Sequence, residues 1–129
     1  RASACPCGSG TSYSRCCAPL HCGHVAAETA EQLMRARYCA YAKHLGSYIE
    51  RTWDPSTRPE VIELSDDLRW TGLEIVRCIR GRREDTAGIV EFRAHHSGRH
   101  GDGSLGEVSS FRRVGSSPEG EWVYLGVAR

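Results

Sequence analysis

The stretch Trp70-Thr71-Gly72-Leu73-Glu74-Ile75-Val76-Arg77-Cys78-Ile79-Arg80 decides the fold. Leu73, Ile75 and Ile79 recur there at the two-residue period of a half-buried strand, and a charged turn through Gly81 and Asp85 ends it. Downstream the same period predicts strands over residues 88–96, 105–114 and 122–127, parted by glycine-rich turns at 98–106 and 115–120. Strands so closely spaced form an antiparallel meander.

Upstream the period changes to that of helices. Thr29 and Gln32 make a capping-box pair. Met34, Tyr38, Tyr41 and Leu45 then come at spacings of four, three and four, so one apolar stripe runs down a helix that Gly46 stops. Ser47 with Glu50, and Thr57 with Glu60 around Pro59, repeat the capping spacing, which predicts two further helical pieces. Helices followed by an antiparallel meander is an α+β arrangement.

At 129 residues and 14.3 kDa the chain has room for one domain and a small appendage. Its 40% hydrophobic content supports a core, and its formal net charge of +1 provides no strong pull toward nucleic acid or an anionic membrane. No stretch reaches the roughly 20 apolar residues of a membrane span, and no signal-peptide pattern opens the chain, so a soluble cytoplasmic protein is expected.

Residues 1–25 have neither period and are rich in Cys, Gly, Ser and Pro, so a metal is the natural organiser. Cys5, Cys7, Cys16 and Cys17 place four thiols within thirteen positions, and Gly8 and Gly10 let the loop between them turn tightly. Zinc favours such four-thiolate sites. A disulfide framework fits less well, because seven cysteines cannot all pair within one chain and a vicinal bridge between Cys16 and Cys17 is strained. His21, Cys22 and His24 are nearby substitutes for Cys17 as fourth ligand. A boundary falls near residues 22–28, giving a module over 1–25 and a domain over 26–129.

The run Cys5-Pro6-Cys7-Gly8-Ser9-Gly10, then Tyr13, then Cys16-Cys17 resembles the SEC-C motif, the zinc-binding module of the SecA translocase tail. The paired cysteines are similar to those of the YchJ-like family. That likeness continues through residues 30–38, Ala40-Tyr41, residues 52–59 (Thr52-Trp53-Asp54-Pro55-Ser56-Thr57-Arg58-Pro59) and residues 69–75 (Arg69-Trp70-Thr71-Gly72-Leu73-Glu74-Ile75), and so spans nearly the whole chain. The resemblance implies a SEC-C module followed by a nuclear-transport-factor-2-like domain, in which helices close over a curved sheet to make a cone. Leu105-Gly106-Glu107-Val108-Ser109 keeps only part of a polar Leu-His-Glu-Arg-Ser run common in the family, and Gly126 stands where relatives often carry Asp.

Within such a cone, alternation puts Leu105, Glu107, Ser109 and Phe111 on one face and pairs Trp122 with Tyr124. Glu107 is the candidate acid or base, since a carboxylate among apolar side chains has a raised pKa. Tyr38, Trp70 and Glu74 are candidates for the same pocket. In ordinary cores such aromatics only pack, and Glu107 would simply bond a buried donor.

His95 and His96 must point to opposite faces of a strand, so with His100 they read as part of an exposed loop and not as a second metal site. Residues 8–12 lack the lysine of a phosphate loop. Cys39 and Cys78 read as buried small hydrophobes, and Cys22 as a spare thiol.

Three functions are compatible with these residues. The SEC-C likeness implies protein docking through the zinc module, as the similar SecA tail docks the export chaperone SecB and contacts ribosomes. A solvent-connected cavity of a few hundred Å³ would favour small-molecule binding or enzymatic activity in the cone. Arg77, Arg80, Arg82, Arg83, Arg112 and Arg113 offer a weak nucleic-acid patch, although such runs are usually solvated faces.

Overall fold

The computed structural model of the chain describes residues 4–128. Strands β1 (Leu68–Arg80), β2 (Ala87–Gly98), β3 (Gly101–Arg113) and β4 (Trp122–Val127) pair antiparallel in the order β1-β2-β3-β4, the expected meander. Three helices pack on this open sheet: α1 (Ala18–His21), α2 (Ala30–Ala42) and α3 (Gly46–Arg51).

Irregularities in the ladder shape the sheet. Register shifts at Trp70/Gly72 and Ile75/Arg77 in β1, and opposite Ser110/Phe111 where Leu125 is the extra residue of β4, bend the strands. An extra residue also turns the later side chains of the strand to the other face. That corrects the reading of Ile79, which continues the strand but lies on its exposed end at 44% accessibility. The buried face comes mainly from Val90, Phe92 and Ala94 of β2, Ser109 and Phe111 of β3, and Trp122 of β4. Full burial of a side chain such as Phe111 contributes about 1.5–3 kcal/mol.

The glycine-rich segment 98–106 is strand and not loop beyond its first residues. Gly98 pairs Gly101 across a two-residue turn, and the ladder runs on through His96 opposite Gly103. A Cβ on Gly103 would come within 2.8 Å of the His96 ring, so glycine is there to seat that ring against the strand. His95 and His96 therefore lie in β2, and of the three histidines only His100 sits in the turn.

Thr29 caps α2 as expected, its Oγ1 accepting the Gln32 N–H at 3.1 Å, while Gln32 Oε1 accepts from Glu28 N at 2.7 Å. The helix ends at Ala42, short of Leu45. His44, with φ 59°, makes the left-handed turn expected of a glycine stop, and Gly46 opens α3 instead. Ser47 does not cap α3.

The third expected helix, around Pro59, is a turn. Asp54 Oδ1 accepts from both N and Oγ of Ser56, and Asp54 O accepts from the N–H groups of Thr57 and Arg58, so side-chain bonds replace helical ones. Before this turn Trp53 bridges Tyr124 in parallel, tying the segment after α3 to β4.

Helix α2 is buried on two sides, which the single-stripe reading missed. Met34 and Tyr38 face the sheet, while Ala36 and Cys39 are fully buried toward the N-terminal residues. These small side chains let another layer approach closely. Cys5, Cys7, Cys17 and Leu20 accordingly belong to the same core as α2. None of the described helices is long and apolar enough to cross a membrane.

Candidate functional site

Two features stand on either side of α2. The first is a cluster of thiols. Cys5 and Cys7 leave a short bridge between Ala4 and Ser12, and Gly8 and Gly10 take φ of 82° and 87° so that the loop doubles back toward Cys16 and Cys17. The four sulfurs lie within 4.8 Å of one another, and all are free thiols. Zinc–sulfur bonds of about 2.3 Å in a tetrahedron place sulfurs about 3.8 Å apart. The Cys7–Cys16 and Cys16–Cys17 separations, 3.6 and 3.9 Å, fit that spacing.

The thiols are electrostatically unequal. Hydrogen bonding from Cys17 holds Cys7 down at about 4, with Ser9 and Cys16 adding to it, whereas burial pushes Cys5 up to about 12. Cys17 is itself pushed up by bonding to Cys39 and Cys7. Cys7 is thus the thiol of the cluster held toward the thiolate, the ligating form.

Sequence reading missed the fifth thiol. Cys39 Sγ from α2 lies 3.9 Å from Cys5 Sγ, and forms a second close group with Cys17 and His21. Its period on the helix showed burial but not a neighbour 34 residues away. Cys78, read as buried, is exposed and touches Glu31 Oε1 at 3.6 Å.

Of the substitute ligands, Cys22 and His24 are exposed and outside the cluster. Both ring nitrogens of His21 are occupied: the Tyr13 hydroxyl is 2.8 Å from Nδ1, and Nε2 is 2.8 Å from Ala36 O. With Nε2–H donating to the carbonyl, Nδ1 accepts from Tyr13. Burial lowers the His21 pKa, in keeping with this neutral form. Arg35 adds a second tie, its Nη1 donating to Cys7 O at 2.8 Å.

The second feature is a cavity of about 240 Å³ under the sheet, open on one side where half-exposed Leu105 stands at the mouth. Tyr38, Trp70, Glu107 and Tyr124 line it together. Glu107 Oε2 accepts from Ser109 Oγ at 2.6 Å and from the Tyr124 hydroxyl at 2.7 Å. Burial and then this carboxylate push the Tyr124 hydroxyl pKa up, so it stays a donor.

Three pocket candidates lie elsewhere. Glu74 points away, exposed and 3.7 Å from His95 Nε2, because the bulge after Trp70 shifts its side of the strand. Phe111 is wholly buried behind the wall. Trp122 lines a separate cavity beside Leu20 and Leu33, donating Nε1–H to Glu28 O at 3.1 Å beneath the Arg113 guanidinium.

Arg37 and Trp53 of the cavity wall were not anticipated. Arg37 is only 3% exposed, with its guanidinium over the Trp53 and Tyr124 rings at 5.0 and 4.5 Å. Burial lowers its pKa to about 10, so it remains a cation at neutral pH. A charge within an amphipathic pattern normally marks the solvent face, and nothing local in the sequence shows this exception.

The arginine patch is largely occupied. Arg77 pairs Glu91, Arg82 pairs Asp85, Arg83 pairs Glu28 and Arg112 pairs Asp54, while Arg113 donates to three backbone carbonyls.

Residues 1–19 match the SEC-C motif, and residues 29–126 match the family described as YchJ, middle NTF2-like domain. The chain belongs to the YchJ-like family. It is 49% identical to a UPF0225 protein of Streptomyces coelicolor over 93% of this chain and 90% of that one. A UPF0225 protein of Deinococcus radiodurans is 42% identical over 96% and 88%. Among solved structures, a SEC-C motif containing protein from Rhodopseudomonas palustris superposes with a TM-score of 0.81 at 30% identity, covering 96% of each chain. A second, from Psychrobacter arcticus, gives 0.79 at 26% identity over 97% of this chain and 82% of that one. The likeness of YchJ-like chains thus covers the SEC-C module and the NTF2-like domain together.

Proposed function

We propose that this YchJ-like chain is a small-molecule-binding protein whose cone holds the ligand and whose N-terminal module is a structural zinc site. The observation that carries the reading is Arg37: a buried cation in the wall of an open cavity, with no carboxylate in ion-pair range among the described residues. Burying a charge without an ionic partner costs several kcal/mol, and functional sites are where such arrangements persist.

Cys5, Cys7, Cys16 and Cys17 would hold the zinc. When bound, the metal supplies a cross-link between the two ends of the module loop. Zinc suits a four-sulfur site of this spacing, in which Cys5, Cys7 and Cys17 are buried and Cys16 is partly exposed.

Native mass spectrometry of the chain purified without chelator tests both parts. The expected spectrum contains one zinc and a reproducible organic mass. Leu105→Trp, at the exposed mouth, removes the organic mass and leaves the zinc. Identical zinc-only spectra for both proteins would refute ligand binding.

Protein docking is a second reading, supported by the module's outer rim. Residues 8–11, Ser14 and Arg15 stay exposed after the inner face has packed on α2. Docking predicts a specific partner that is lost with Arg15→Glu and kept with Leu105→Trp.

A further inference from the structure

We infer that the cone takes a small planar organic acid that also carries an N–H or O–H donor, with its acidic group on Arg37 and its donor on Glu107. This rests on the ligand-binding reading above and narrows it to a chemical class.

Size comes first. Pockets for drug-sized ligands run to about 300–1,000 Å³. A cavity of about 240 Å³ suits a molecule of one or two rings. Shape comes next. The walls are aromatic and set edge to face: Tyr38 against Trp70 at 6.2 Å and 66°, and Trp53 against Tyr124 at 5.1 Å and 77°. Such walls present ring faces and edges to a flat guest.

The polar inventory sets the chemistry. Arg37 Nη1 donates to Ile49 O at 2.9 Å and Thr52 Oγ1 at 2.8 Å, which uses both of its hydrogens. Nε and Nη2 have no partner among the described residues, and together they form the edge that grips a carboxylate with two parallel bonds. The Tyr38 hydroxyl and Trp53 Nε1 are sealed within the wall without a partner, so the free donors that a guest can reach are those of Arg37, and an acid supplies their acceptors.

Glu107 has the opposite need. Its Oε2 takes both Ser109 and Tyr124, while Oε1 has no partner among the described residues. A ligand N–H or O–H satisfies it. An acid without a donor leaves this carboxylate unmatched, and a base without the acid leaves Arg37 unmatched. Polar groups left unmatched once a ligand excludes water dominate discrimination between ligands.

Titration calorimetry of the zinc-loaded full chain tests this with four probes: 4-aminobenzoate, benzoate, aniline and cyclohexanecarboxylate. We expect 4-aminobenzoate to bind at least tenfold more tightly than the others. Glu107→Gln should abolish its advantage over benzoate, because an amide N–H₂ then faces the ligand amine. Arg37→Lys, which keeps the charge and loses the fork, should weaken both acids at least tenfold. Circular dichroism and zinc content confirm that each variant is folded. If aniline or cyclohexanecarboxylate matches 4-aminobenzoate, or Glu107→Gln changes nothing, the assigned class is wrong while the cone remains a binding site. Failure of all four probes, on folded zinc-loaded protein, overturns the inference and, with an adduct-free native spectrum, the binding reading too.

Discussion

Arg112 Nε reaches from β3 to within 2.7 Å of Asp54 Oδ2, binding the turn after α3 to the middle of the sheet. Asp54 is 2% exposed, and the bond from Arg112, aided by Ser56, lowers its pKa from 3.8 to about 2. The unfolded chain therefore holds the proton more readily in the interval between, and folding stability falls as pH drops. The pair contributes in full above about pH 4 and is lost as pH falls from about 4 to about 2. Because Arg112 is about one-third exposed, solvent screening weakens the pair. Urea denaturation as a function of pH should show this slope, and Asp54→Asn should flatten it.

The thiol cluster separates ligands from neighbours. Cys7→Ser is expected to abolish one-to-one zinc binding and the cooperative melt, because closing the module loop depends on the metal. Cys39→Ala should keep one zinc per chain, as Cys39 flanks only the Cys5 and Cys17 side. Native mass spectra and thermal melts of the two variants read the difference.

His21→Ala removes the bonds to Tyr13 and Ala36 that fasten the module to α2. A loss of about 1–3 kcal/mol is expected, the cost of leaving such groups unsatisfied. Zinc content should stay at one per chain. Loss of the metal would instead make His21 a ligand.

Gly103→Ala forces the His96 ring aside, since the new Cβ would sit 2.8 Å from it. That ring packs edge-on to Trp70 at 5.6 Å, in the cavity wall. The expected result is a shift in tryptophan fluorescence with a stability loss of about 1 kcal/mol. Unchanged emission would show that the histidine can move without disturbing Trp70.

Local pattern revealed most of the fold. Period two located all four strands, and Thr29 marked the start of α2 because capping is a local interaction. Errors arose where a residue had two competing roles. Glycines at 98–106 signalled loop by composition but serve close packing within β2 and β3. The helix expected at Ser47 forms as α3 with Tyr48 and Ile49 buried, only its cap lying elsewhere, whereas at Thr57 the capping spacing lost to Asp54, which captured that segment for a turn. Cysteine spacing brought Cys5, Cys7, Cys16 and Cys17 to attention. Cys39 and Arg37 were beyond that reach, because their significance depends on what the fold brings to either side of one helix.

That helix is a partition one residue thick. Tyr38 belongs to the cavity wall and Cys39, the next residue, to the thiol cluster. A half-turn of backbone thus answers to two tenants. An ion held on one side and a guest on the other would meet across that half-turn, and linkage would make any coupling between them equal in both directions.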